Sequence, residues 1–133
     1  MTAILEQKYL TGVDHFDADH AVMIATIDEL ANSISADHVN ILLEKLIGNW
    51  ILHMMEEESF MLKHRIPMIE HHISDHSKFL NLLKRMKWGL DDKTLVIDSH
   101  LINLLKYTAL NHIQYEDVQY GEFYRNHVVN RKM

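Results

Sequence analysis

The sequence of 133 residues has no cysteine. Disulfides, thiolate metal sites, iron–sulfur clusters and cysteine nucleophiles are therefore excluded. One proline and four glycines leave long helices free to run without interruption. No stretch approaches the ~18 consecutive apolar residues of a membrane-spanning helix. The start, MTAILEQKYLTGVDHF, lacks a basic region followed by an apolar run, so no secretory signal is expected, and the reading is cytoplasmic. Positive charge is also scarce: the formal net charge is −6, which argues against nucleic acid and anionic membrane surfaces as partners. Histidine, by contrast, is abundant, with 11 residues. It has no special helix propensity, and metal ligation is the first role that would select for it.

Apolar residues recur at helical spacing in four segments. The first begins at Asp19 and runs through Met23, Ile27, Leu30 and Ile34, with Asp17 or Asp19 as its cap. Residues 1–18 read as an irregular N-terminal arm, and Ser33–Ala36 as a turn. The second runs Val39, Leu42, Leu46, Trp50, His53, Glu57 and Met61, with Pro67 just beyond its end. The third runs Ile69, His72, His76, Phe79, Leu80, Leu83 and Met86, and Gly89 is its expected stop. The fourth runs Val96, Leu101, Leu104, Leu105, Thr108 and His112, capped by Asp91 or Asp92. Strand alternation is absent. No internal repeat, low-complexity segment or linker divides the chain. The expectation is an all-α single domain over residues 1–133, an up-down-up-down four-helix bundle at about 19–120 behind an irregular arm.

His53 and Glu57 are four residues apart in HMMEEE, and His72 and His76 are four apart in HHISDH. Residues at i and i+4 share a helix face, one turn apart, so each pair can aim two donors at one point. Both pairs lie within an apolar stripe, where unpaired polar groups are costly. A lone histidine on such a face is usually a hydrogen-bonded core residue. Here His20 opens the first apolar face and His112 continues the fourth, so all four helices direct histidine inward, and a metal is the economical reading. His15, His38, His64, His71, His100 and His127 are expected to be solvated or locally bonded. His71 is a competitor of its neighbour His72, though it lies roughly 100° off the His76 face.

These residues resemble the hemerythrin family in its single-domain bacterial form. The family pattern is a histidine early in the first helix, HxxxE in the second, HxxxH in the third and HxxxxD in the fourth. Here it is matched by His20 in DADH, His53–Glu57, His72–His76 and His112–Asp117, from about Gly12 to Tyr120. The resemblance implies two iron ions with a bridging oxo or hydroxo group. One ion would take His72, His76 and His112 and the other His20 and His53, with Glu57 and Asp117 bridging. It also implies reversible dioxygen binding at the ion with fewer ligands. Leu110 matches the family's apolar pocket residue; Met54, where many relatives have phenylalanine, and Ile113 join it. Helix geometry alone would choose Glu116, at i+4 from His112, over Asp117, which diverges by about 140°. Asp117 requires a distorted turn.

The functional expectation is an oxygen carrier, store or delivery protein rather than an enzyme, with peroxidase or oxidase activity at most a side reaction. Bundle-type di-iron enzymes use four carboxylates and two histidines with Glu-x-x-His pairs, the reverse of the bias here. The alternatives are a sensor or regulator of oxygen, nitric oxide or iron acting on a separate protein partner or electron donor, and a di-iron oxidase or peroxidase.

Overall fold

A computed structural model describes residues 5–33 and 35–129. Ile34, the first four residues of the N-terminal arm and residues 130–133 lie outside it. A single 3-10 turn, Gln7–Tyr9, precedes four helical columns: α1 (Asp14–Ala31), α2 (Ala36–Lys63), α3 (Ile69–Asp91) and α4 (Ser99–His112). The last column continues through a π turn, Ile113–Asp117, into α5 (Val118–Tyr124) and a second π turn, Arg125–Val129. No strand occurs among the described residues. Short connections make successive helices antiparallel neighbours, and α4 returns to pack on α1. The result is the expected up-down-up-down bundle.

The helix ends follow local chemistry. Ser35 caps α2 by accepting from the His38 amide at 3.2 Å. Asp98 caps α4 by accepting from the Leu101 amide at 3.0 Å. This corrects the expectation of Asp91 or Asp92, which instead finish α3. Both α2 and α3 end in left-handed residues, Arg65 (φ 52°) and Lys93 (φ 63°). The amides that follow return to carbonyls on the last turn, Ile66 to Met61 and Thr94 to Gly89, as in a Schellman motif. Gly89 is thus not the stop: α3 runs on to Asp91. A Cβ at Gly89 would lie 2.6 Å from that of Leu95, so glycine there admits the following loop.

The first helix also departs from expectation. It begins at Asp14, five residues before Asp19, and neither Asp17 nor Asp19 caps it. The Asp17 carboxylate instead accepts from the Thr11 amide and hydroxyl, both at 2.8 Å, and from the Gly12 amide at 3.1 Å, folding the arm back onto the helix. In the fourth column, Val96 and Leu104 face solvent, while Ile102, Leu105, Ala109 and Ile113 face the interior.

Along the bundle as a whole the buried residues fall into three layers. Ile27, Leu30, Leu42, Leu43, Leu46, Leu83, Met86, Ile102 and Leu105 form a large apolar layer. Phe16, Met61, Ile66 and Tyr120 form a small one at the other end. Between them lies a layer of buried histidines and carboxylates.

Candidate metal centre

Each column supplies one or two side chains to the middle layer: His20 from α1, His53 and Glu57 from α2, His72 and His76 from α3, and His112 and Asp117 from the last column. His20, His76, Glu57 and Asp117 are fully buried, and His53 and His72 nearly so. Asp117 reaches the layer because the π turn fits an extra residue into one turn. Glu116 therefore points outward, where its carboxylate meets His71 at 2.8 Å.

The two carboxylates face both ways. Glu57 Oε1 lies 2.8 Å from His72 Nε2 and 2.9 Å from His76 Nε2. Its Oε2 lies 2.9 Å from His53 Nε2 and 3.4 Å from His20 Nε2. Asp117 Oδ1 lies 2.8 Å from His72 Nε2 and 3.1 Å from His112 Nε2, and its Oδ2 lies 3.0 Å from His20 Nε2. The donor atoms form two sets, each within 4.8 Å: Glu57, His72, His76, His112 and Asp117 in one, His20, His53, Glu57 and Asp117 in the other.

A metal fits this chemistry. Both Asp117 oxygens and His112 Nε2 are buried with no hydrogen-bond partner, although other donor atoms stand within 3.1 Å. Buried polar atoms are rarely left unpaired. Close approach without hydrogen-bond geometry is what lone pairs converging on a common cation would give. The outward ring nitrogens are partly anchored: His53 Nδ1 to Asp19 at 2.9 Å and His76 Nδ1 to Glu58 at 2.7 Å. A carboxylate can only accept, so each Nδ1 donates its proton outward, which leaves Nε2 as the nitrogen that a metal would take in place of a proton. Tyr120 donates to Glu57 Oε2 at 2.9 Å, and Trp50 Nε1 donates to the His76 carbonyl at 3.2 Å. His20 Nδ1 has no partner.

Burial alone would depress the histidine pKa values, but the carboxylates prevail. Asp117 and Glu57 push His20 and His72 up to about 10, and Asp19 and Glu57 push His53 up to about 9. Burial likewise opposes ionisation of Glu57 and Asp117, yet the surrounding imidazoles hold both below the usual carboxylate range. Two buried carboxylates side by side require compensating positive charge. Protons on the imidazoles can supply it, and so can a metal.

The remaining sequence expectations find these places. Ile113 is buried at the start of the π turn, while Met54 and Leu110 are half-buried against the large apolar layer. Asp19, Glu58, Asp75 and Tyr120 were not anticipated. An Asp–His dipeptide, Asp19–His20 and Asp75–His76, is the available signal for the two aspartates; Glu58 and Tyr120 have none.

In sequence, no family profile and no curated protein matches the chain. In structure it is similar to wild-type hemerythrin, with TM-score 0.78 and 20% identity over 84% of this chain and 88% of that one. A tyrosine-substituted hemerythrin gives TM-score 0.80 and 19% identity over 92% and 97% of the two chains. An alanine-substituted one gives 0.75 and 17% over the same shares. These likenesses give this chain a hemerythrin-like fold.

Proposed function

We propose that the chain holds two iron ions in the middle layer and binds dioxygen reversibly there. The observation that carries this reading is the unequal division of five imidazoles around two shared carboxylates. His72, His76 and His112 would hold one ion, His20 and His53 the other, and Glu57 and Asp117 would span both. The second ion would then have one protein donor fewer, which would leave room for a small ligand. Imidazole with carboxylate suits iron.

A ferrous pair, when bound, supplies dioxygen with two electrons and recovers them on release. The chain's own residues set the conditions. Glu57 and Asp117 offset charge that imidazoles cannot. Tyr120 holds Glu57 from one side, while Asp19 and Glu58 pin the rings of His53 and His76. Met54, Leu110 and Ile113 are the apolar side chains assigned to exclude water and stray proton donors. Two carboxylates, against the four of bundle-type di-iron enzymes, give less support to the more oxidised metal states that oxygen activation needs. This favours a carrier over a catalyst.

The test is the absorption spectrum of the anaerobically reduced, iron-loaded protein, recorded before air, after air and after air is removed. A new visible band that disappears on removal is expected. A band that persists, with peroxide released, would replace carriage by oxidase chemistry. One metal per chain, or zinc after expression with ample iron, would overturn the di-iron reading itself.

A further inference from the structure

Outside the buried layer, a six-residue pattern occurs twice. α1 carries His15–Phe16–Asp17–Ala18–Asp19–His20 and α3 carries His71–His72–Ile73–Ser74–Asp75–His76, each of the form HxxxDH. Each is met by a glutamate that immediately precedes a buried carboxylate, Glu56 before Glu57 and Glu116 before Asp117. The fold completes both into matching triads. His15 Nε2 lies 2.5 Å from Glu56 Oε2 and 3.7 Å from Asp19 Oδ2. His71 Nε2 lies 2.8 Å from Glu116 Oε1 and 3.6 Å from Asp75 Oδ2. Within each triad, one donor atom per residue falls within 4.8 Å of the others.

In both triads the same aspartate atom also faces the buried layer, in hydrogen-bond contact for Asp19 and at a longer reach for Asp75. Asp19 Oδ2 is 2.9 Å from His53 Nδ1, and Asp75 Oδ2 is 3.8 Å from His112 Nδ1. A cation at either triad would thus stand one imidazole ring away from the inner donors. Each triad borders a cavity. One of about 150 Å³ is lined by His15, Asp19, Glu56 and, on its inner side, His53. One of about 400 Å³ is lined by Asp75, Glu116, His112 and Lys78, with His71 outside its wall. The His112 side chain is 9% exposed, and its Nε2 lacks a hydrogen-bond partner.

Stability is a weak reason for these triads, because exposed ion pairs contribute little. The histidines are 64% and 49% exposed, open to an arriving ion. The inner donors are closed to solvent, so a hydrated cation must exchange its waters for protein ligands before it can enter. Mixed imidazole and carboxylate donors at the mouth of a cavity allow that exchange in steps.

We propose that the triads His15–Asp19–Glu56 and His71–Asp75–Glu116 are transfer sites that take a divalent transition-metal cation from solvent and pass it to the buried layer. The inference rests on the di-metal reading above. In each transfer the ion exchanges bound water for triad donors, and then triad donors for inner imidazoles. No oxidation is involved.

The test is anaerobic uptake of Fe2+ and, separately, Co2+ by metal-free protein, followed by stopped-flow absorption and by final metal content. The quadruple variant H15A/E56Q/H71A/E116Q is expected to load at least tenfold more slowly than wild type, yet to reach the same final content and spectrum. Excess Co2+ should reveal additional weak sites in wild type that the variant lacks. A D28N/E44Q control removes the same number of negative charges elsewhere and should load at the wild-type rate. Equal slowing in this control would reduce the effect to general attraction and overturn the proposal. So would an unchanged rate in the quadruple variant, or a lower final content, which would make the triads part of the inner centre. If wild type takes up no metal, the di-metal reading falls, and this inference with it.

Discussion

The large apolar layer and the histidine–carboxylate layer occupy the same four helices, one or two turns apart, and are buried to the same degree. They differ in what they need. Around Leu43, Leu46, Leu83 and Leu105 the fold is satisfied by contact alone, since removing apolar surface from water suffices. Around Glu57 and Asp117 burial is a liability until positive charge arrives. The first layer holds the helices together whatever is dissolved around them. The second makes part of the stability conditional on compensating positive charge, which imidazole protons or a metal can supply.

The strongest way to test this contrast is to remove a shared carboxylate. Asp117→Asn and Glu57→Gln are each expected to lose most bound metal by elemental analysis. Glu116→Gln and Glu56→Gln should retain it, because those side chains point away from the layer, and Glu58→Gln should retain most of it, because it loses only the outer anchor of His76. Equal losses across all five would dissolve the distinction between inner and outer acids.

Leu83→Ala probes the other layer. It should cost about 3 kcal/mol in chemical denaturation, by the same amount in metal-free and metal-loaded protein, with metal content unchanged. A cost confined to the loaded form would mean that the two layers are not independent.

Protons sharpen the comparison. His20, His53 and His72 have folded pKa values raised to about 10, 9 and 10 from 6.5. Their contribution to metal-free stability is therefore complete below about pH 6.5 and fades as pH rises through 9 to 10. Glu57 and Asp117 are shifted downward from 4.5 and 3.8, so their contribution is present above those values and fades in acid. The metal-free protein should melt highest between about pH 5 and 6.5 and lose roughly 5–10 °C by pH 9.5. Metal should flatten the alkaline side. A metal-free melting temperature constant from pH 6 to 9.5 would show that imidazole protons do not stand in for metal.

The smallest expected effect concerns the anchors. Asp19→Asn frees the His53 ring without touching an inner donor, and metal affinity in chelator competition should fall roughly tenfold. Asp28→Asn, far from the layer, should not change it.

Much of this arrangement was legible in the sequence, for a physical reason. His53 with Glu57 and His72 with His76 obey the helical period within apolar stripes, so their convergence follows from spacing. The start of α1 was hidden because Asp14–Asp19 offers one buried apolar residue, Phe16, among His and Asp, and shows no period. Asp17 there holds the preceding Thr11 and Gly12, and Asp19 reaches His53 across the bundle, contacts that no periodic pattern reveals. Gly89 looked like a terminator, but local propensity does not reveal that Leu95 packs against it. The choice between Glu116 and Asp117 could not be made from an ideal helix, since it hinges on a turn that holds one residue too many.

That wide turn makes the last column tolerant of a change in length. A shift of one residue rotates everything downstream by about 100°, and both Asp117 and Tyr120 depend on the rotated phase. Deleting Gln114 would leave Asp117 four residues after His112, so an ordinary helical turn would bring the carboxylate to the same station, with Tyr120 following. Such a shortened chain should keep its metal. The inner acid is specified by its angular position, and chain numbering alone is a poor guide to it. Alignments that forbid a gap within 113–117 would mistake the outer glutamate for the inner aspartate.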